Sequence, residues 1–273
     1  MTAGLGRAAV RDLAERHGIR PSRSLGQHFL VDPNLALAIA ADARAGPGVR
    51  VVEVGAGLGS LTVALAATGA DVLAIEFDRA LLPALEEVAA PLGSVEVMGA
   101  DVTKLDLVAT LGDRRWTMCA NLPYNIATPL VQRVLDGVPN VVRMVVMVQR
   151  EVGDRLVASP GGHGYGPVSL RVEYHAVAAM IRRVPPDVFW PRPTVESVVV
   201  GIDRRDRPAV DADPHRLWRV VDAAFSTRRK TIRSALGSLT DEAGRALGVA
   251  GVDPRMRAER LSLEEFARIA EAL

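Results

Sequence analysis

Val49-Arg-Val-Val-Glu53-Val54-Gly55-Ala-Gly57-Leu-Gly59-Ser60-Leu-Thr62 is the stretch on which the reading of this chain turns. A largely apolar run interrupted by Glu53 predicts a buried strand over 49–54, and the pattern that follows predicts a helix over 58–67. Between them, glycines at 55, 57 and 59 lack the Cβ atoms that would keep a ligand away from the backbone amides. Strand, glycine turn and helix in that order open a parallel α/β sheet. A dinucleotide fingerprint would carry its third glycine one residue later, where this chain has Ser60.

The spacing G-x-G-x-G suits S-adenosylmethionine, which has no pyrophosphate to seat on the helix N-terminus. Three further apolar runs extend the pattern. The strand predicted over 71–77 delivers Glu76, whose carboxylate can accept both hydroxyls of a ribose; otherwise Glu76 or Asp78 is simply an acidic start to the next helix. The strand over 95–99 leads to Asp101 and Val102, placed to accept an adenine amine and to lie against the ring. The run Trp116 to Ala120 leads to Asn121-Leu122-Pro123-Tyr124. There the Asn121 side-chain carbonyl is an acceptor, Pro123 keeps the Leu122 carbonyl out of a local turn, and Tyr124 offers a flat face. The combination describes a seat for an amino-bearing base; the competing reading is a strand-end turn with a packing tyrosine. Gly, Glu, Asp and Asn thus stand at four successive strand ends. Ligands of open α/β sheets bind on that rim.

The flanking regions divide by charge. Residues 1–30 carry +3, residues 31–203 carry −5 and residues 204–273 carry +3, which fits a nucleic acid held by the ends while chemistry sits in the middle, or scattered solvated arginines. The single Cys119 excludes a disulfide framework and a cysteine-rich zinc site, and no metal is expected. Without a signal-like or membrane-spanning run, a cytoplasmic monomer with no membrane partner is expected. Upstream of the glycines, helices are predicted over 7–17 and 32–45, with the loop Leu25-Gly-Gln-His28-Phe-Leu30 between them. Beyond Asn121, a helix over 128–135, an apolar strand over 141–148 and a helix over 149–156 lead to a glycine-rich loop, 159–167. Strands over 175–184 and 196–202 then flank a proline-stiffened excursion whose Phe189 is either a second aromatic plate opposite Tyr124 or, with Trp190, a hydrophobic plug. Only helices follow, over 214–225, 228–236, 241–247 and 262–272. Two domains are expected, 1–203 for ligand binding and 204–273 as a small all-α unit. Arg228, Arg229 and Lys230 with Arg233 a turn later form one basic helix face, for phosphate contact or merely for solvation.

With these motifs in order, the chain resembles the KsgA-type small-subunit rRNA adenine N6,N6-dimethyltransferases. The likeness rests on Leu25 to Leu30, Val54 to Thr62, Asn121 to Pro129, Gln149 to Val152, Phe189-x-Pro-x-Pro193 with Val195 and Ser197, and Phe225 to Arg233. It implies a Rossmann-like class I S-adenosylmethionine-dependent methyltransferase sheet with a helical, RNA-contacting C-terminal domain. By resemblance His28, Leu30, Gly55, Gly57, Glu76, Asp101, Val102 and Asn121 would contact S-adenosylmethionine, and Leu122, Pro123, Tyr124 and Phe189, with Asn121, would position the target adenine. The implied partner is small-subunit rRNA in an immature ribosomal subunit, modified on the exocyclic amines of adenosines near its 3′ end. Pro167 and Glu173 stand where family members commonly carry a basic residue and a glutamine. The alternatives are a large-subunit rRNA methyltransferase of the macrolide-resistance type, a DNA adenine methyltransferase, a nicotinamide oxidoreductase and a mainly non-enzymatic assembly factor. Ser60 and the missing hydride-handling residues count against the oxidoreductase, and the short C-terminal region against a reader of DNA sequence.

Overall fold

The structure, a computed structural model, describes residues 4–22, 25–123, 126–227 and 229–273. Tyr124 and Arg228 lie outside the described residues. The chain forms two compact units, one of residues 1–153 and 179–204, the other of residues 154–178 and 205–273.

In the first unit, α1 (Arg7–Arg16) and the short strand β1 (Phe29–Leu30) precede α2 (Pro33–Asp42). The Asp32 carboxylate caps α2 by accepting from the amides of Asn34 and Leu35, and Pro33 fills the first turn, where its missing N–H costs nothing. Next come β2 (Arg50–Val54), α3 (Ser60–Ala66), β3 (Asp71–Glu76), α4 (Leu82–Ala89), β4 (Val95–Gly99), α5 (Leu107–Leu111), β5 (Trp116–Asn121), α6 (Ala127–Gly137) and β6 (Val141–Gln149). After α7 (Arg150–Leu156) and α8 (Pro167–His175), the chain adds β7 (Ala176–Val184), β8 (Phe189–Trp190) and β9 (Ser197–Arg204).

Seven strands make one sheet in the order β4-β3-β2-β5-β6-β9-β7, parallel from β4 through β6, with β9 antiparallel to β6. The chain winds outward from β2 through β3 to β4, then resumes on the other side of β2 with β5. That reversal opens a crevice beyond the carboxyl ends of β2 and β5, the place where open α/β sheets bind ligands. Central strands buried on both faces explain the unbroken apolar runs: Val51, Val52, Met118, Cys119, Ala120, Val145 and Val146 are all shut away from solvent. One departure from the expected elements matters for the site. Helix α3 begins at Ser60, two residues after the expected Leu58, because Gly57 and Gly59 hold φ of +59° and +82°, outside helical space.

The second unit contains α8, α9 (Pro214–Ser226), α10 (Ile232–Leu236), α11 (Ala243–Ala250) and α12 (Leu263–Ala272). Its core joins Leu170 and Tyr174 of α8 to Leu217, Val221, Leu247 and Phe266. Ser262 and Glu265 form a reciprocal cap at the start of α12, and Tyr165 donates its hydroxyl to the Leu261 carbonyl. The expected boundary placed 154–178 in the first domain. These residues group with the helices instead, since α8 has its buried face against them and not along a strand. The expected helix 228–236 is also shorter. Thr231 caps α10 by accepting from the Ser234 amide, so Arg229 and Lys230 occupy the preceding turn and share no helix face with Arg233. All three are exposed.

Candidate active site

The first unit holds a cavity of about 290 Å³ at the crevice. Its walls include His28, Leu30, Gly55, Gly57, Glu76, Asp101, Val102, Asn121, Leu122, Pro123 and Phe189, so every described residue that the sequence assigned to cofactor or target base borders one space. The size is near the lower end for small-molecule sites.

Glu76 closes β3 and is nearly buried, yet its two oxygens are held apart by the backbone. Oε2 accepts from the Gly57 amide and Oε1 from the Asp78 amide, each at 2.8 Å. Burial pushes this carboxyl upward, and the backbone donors oppose the shift. Each oxygen keeps a second lone pair, which suits the paired hydroxyls of a ribose. The glycine turn is tight for the same reason that it works: a Cβ on Gly57 would lie 3.2 Å from Phe29 Cδ1, at a φ that side chains rarely adopt. Gly57→Ala should therefore cost roughly 1–3 kcal/mol of stability and displace the amide that orients Glu76. A lowered midpoint in chemical denaturation together with weakened nucleoside binding would bear this out; an unchanged midpoint would not.

Beyond β4, Asp101 turns on itself. Its Oδ1 accepts from the Thr103 amide and hydroxyl, and these bonds hold its carboxyl below the usual range. Val102 is buried beside it, and Arg133 of α6 donates to the carbonyls of Val102 and Leu105, bracing the whole turn. Arg133 gave no signal in the sequence, being one cation on an amphipathic helix. The same is true of Phe77, which follows Glu76 at the cavity edge and is 58% exposed.

At the end of β5, the Asn121 side chain is oriented by a distant group. Its Nδ2 donates to the His28 carbonyl at 3.1 Å, which turns Oδ1 into an acceptor with no partner among the described residues. Leu122 donates its amide to Met147 of β6, while no described donor reaches its carbonyl. His28 is fixed in turn: Nδ1 lies 2.7 Å from the Pro191 carbonyl, and since a carbonyl only accepts, the proton sits on Nδ1. Gln27 anchors the same loop through its amide to Asp78 at 2.7 Å.

Ser60, the residue that broke the dinucleotide pattern, donates its hydroxyl to the Leu30 carbonyl at 2.6 Å and ties β1 to the start of α3. Strand β1 pairs Leu30 with Phe189 and Phe29 with Trp190. Because neighbours on a strand face opposite ways, Phe189 borders the cavity and Trp190 does not; Trp190 packs on Phe29, with Arg11 over its ring. Phe189 is only 2% exposed and belongs to the sheet core, so it is a cavity wall and no free-standing crest.

An open, mostly parallel sheet with its switch point between β2 and β5, a glycine turn, an acidic β3 end and Asn-Leu-Pro after β5 define a class I S-adenosylmethionine-dependent methyltransferase. Solved structures share the architecture: the 23S rRNA methyltransferase ErmE (TM-score 0.70, 24% identity, 90% of this chain and 99% of that one) and a dimethyladenosine transferase from Plasmodium falciparum (TM-score 0.73, 21% identity, 89% and 96%). The family model described as ribosomal RNA adenine dimethylase matches residues 19–273, and the chain belongs to that family. Similar curated proteins, each called ribosomal RNA small subunit methyltransferase A, include one from Moorella thermoacetica (46% identity, 96% of this chain, 95% of the relative) and one from Cutibacterium acnes (42%, 100% and 95%). The cavity fits the cofactor of this class. It offers the side-chain-free backbone of Gly55 and Gly57 along its wall, two acceptor oxygens at Glu76 and a carboxylate at Asp101.

Proposed function

We propose that the chain dimethylates the exocyclic N6 amines of adenosines in small-subunit rRNA, acting in the cytoplasm as a monomer on an immature ribosomal subunit. The two target adenosines are adjacent, in a loop near the 3′ end of the rRNA. The observation that carries the reading is the hydrogen bond from Asn121 Nδ2 to the His28 carbonyl, which leaves Oδ1 as a fixed acceptor beside the Leu122 carbonyl.

Glu76 would hold the ribose, Asp101 and Val102 the adenine, and His28, Leu30, Gly55 and Gly57 the remaining walls of the cofactor site. S-adenosylmethionine, when bound, supplies an electrophilic methyl group on a sulfonium. An adenine amine is a poor nucleophile because its lone pair is delocalised into the ring. Asn121 Oδ1 and the Leu122 carbonyl accept its two N–H groups, draw the nitrogen toward tetrahedral geometry and aim the lone pair. The same two dipoles stabilise positive charge as it develops on nitrogen. The alkylated amine is acidic enough to lose a proton to water, so the site requires no general base. After the first transfer one N–H remains, and only one of the two acceptors can be engaged in the second. The base must be unstacked to enter, and Pro123, Tyr124 and Phe189 would receive it. Arg228, Arg229, Lys230 and Arg233 would contact phosphate.

The test is to incubate the protein with labelled S-adenosylmethionine and, separately, immature small subunits, large-subunit rRNA and duplex DNA, then to map N6,N6-dimethyladenosine by nucleoside mass spectrometry. Dimethylation confined to small-subunit rRNA is expected. Label in large-subunit rRNA or DNA alone would overturn the proposal.

A further inference from the structure

The side-chain amide of Gln27 is fastened at both ends. Oε1 accepts from the Ser22 amide at 2.8 Å, and Nε2 donates to Asp78 Oδ2 at 2.7 Å. A backbone amide only donates and a carboxylate only accepts, so these two partners leave the side chain a single orientation. Asp78 is committed as well: Oδ1 accepts from the Ala80 amide at 3.0 Å, and its own amide donates to Glu76 Oε1. Gln27 and Asp78 are both partly buried at the cavity wall, where water does not fully replace a lost partner.

Successive residues of this loop fasten to different parts of the crevice. Gly26, at a φ of +64°, lays its backbone against Pro123, whose Cβ would lie 3.6 Å from a Cβ at position 26. Gln27 grips the turn after β3, and the His28 carbonyl grips the Asn121 side chain at the end of β5. Strand β2 stands between β3 and β5. One short loop therefore passes the glycine turn and joins the carboxylate that suits a ribose to the acceptor that suits an amine.

We propose that Gln27 is a positioning residue for methyl transfer. Its bond to Asp78 fixes the loop so that the His28 carbonyl turns Asn121 Oδ1 toward the target amine, while the Asp78 amide holds Glu76 for the cofactor ribose. Gln27 acts through those two residues, and it ties the aim of the acceptor to the seating of the methyl donor. The proposal rests on the reading of the chain as an rRNA adenine dimethyltransferase.

The bond can be reversed, which separates positioning from mere support of the fold. In Gln27→Glu two carboxylates face one another. In Asp78→Asn the new NH2 meets a donor whichever way it turns, Gln27 Nε2 or the Ala80 amide. In the double variant Gln27→Glu with Asp78→Asn, the new amide donates to the new carboxylate and its carbonyl accepts from Ala80. The second carboxylate oxygen still accepts from Ser22. All three bonds return with the middle one reversed, and the pair keeps its single negative charge.

Two readouts are taken on the full chain, at a temperature where each variant gives the far-ultraviolet spectrum of wild type. One is affinity for S-adenosylhomocysteine by calorimetry; the other is single-turnover methyl incorporation into immature small subunits at saturating S-adenosylmethionine. Each single substitution should weaken the ligand and slow the saturated transfer by about tenfold, the worth of a hydrogen bond to a charged acceptor. The double variant should return both to within about threefold of wild type. If Gln27→Glu does not fold, Gln27→Ala, which leaves the partners unpaired but not opposed, takes its place. Either readout left unchanged by the single substitutions, or a double variant as impaired as they are, overturns the inference while the proposed function stands. Wild type that binds S-adenosylhomocysteine yet leaves small subunits unmethylated overturns that function and the inference with it.

Discussion

Asn121→Ala is expected to lower dimethylation of small-subunit rRNA by roughly 100- to 1,000-fold or more, as loss of one preorganised acceptor does where charge develops in a transition state. The fall should appear in turnover and not in RNA affinity, because truncation removes an acceptor for the reacting amine and no phosphate contact. Only one bond, that to the His28 carbonyl, is lost from the protein itself, and Asn121 is partly exposed, so the variant should remain folded. Single-turnover methyl incorporation with a far-ultraviolet spectrum of the same sample checks both halves. A folded variant that keeps most of its single-turnover rate would remove Asn121 from the chemistry.

Glu76→Ala should act earlier, on the cofactor. Two hydrogen bonds to a charged acceptor are worth about 1.5–3 kcal/mol each, so affinity for S-adenosylmethionine should drop by two orders of magnitude or more, roughly. Stability should fall as well, since the amides of Gly57 and Asp78 lose their acceptor in a largely buried setting. That penalty is about 1–3 kcal/mol for each group that water cannot reach. Titration calorimetry and denaturant melts separate the two effects. Undiminished affinity would show that ribose is held elsewhere. In cells, the same variant distinguishes catalysis from assembly: normal small-subunit maturation without dimethyladenosine would mean that the protein's presence matters apart from its chemistry.

Local rules made part of this site legible. Glycines at 55, 57 and 59, an acid at the end of the next strand and Asn-Leu-Pro after the fourth can be read because strand periodicity places strand ends, and in a parallel sheet all of these ends share one rim. Less accessible were contacts that depend on distant partners. Glu53 reads in sequence as a flaw in an apolar run; only the fold supplies the Thr62 hydroxyl that its carboxyl accepts and the cavity that it borders. Phe189 was open between plate and plug until its pairing with Leu30 made it a wall. The basic run before Arg233 looked helical because arginine and lysine favour helices, but the Thr231 cap overrides that propensity.

By itself, then, the order of residues determined the strand–glycine turn–helix opening, the sheet, and the identity of the polar groups at its rim, since each depends on side-chain period and backbone freedom within a few residues. Tertiary structure alone decided which way those groups point. The amide of Asn121 is turned by a carbonyl 93 positions away, one Glu76 oxygen is held by the amide of Gly57 on the neighbouring strand's turn, and residues 154–178 join the helical unit through apolar contacts. Hydrogen-bond direction and shared burial are properties of pairs brought together by the fold, and neither partner's local sequence encodes the other.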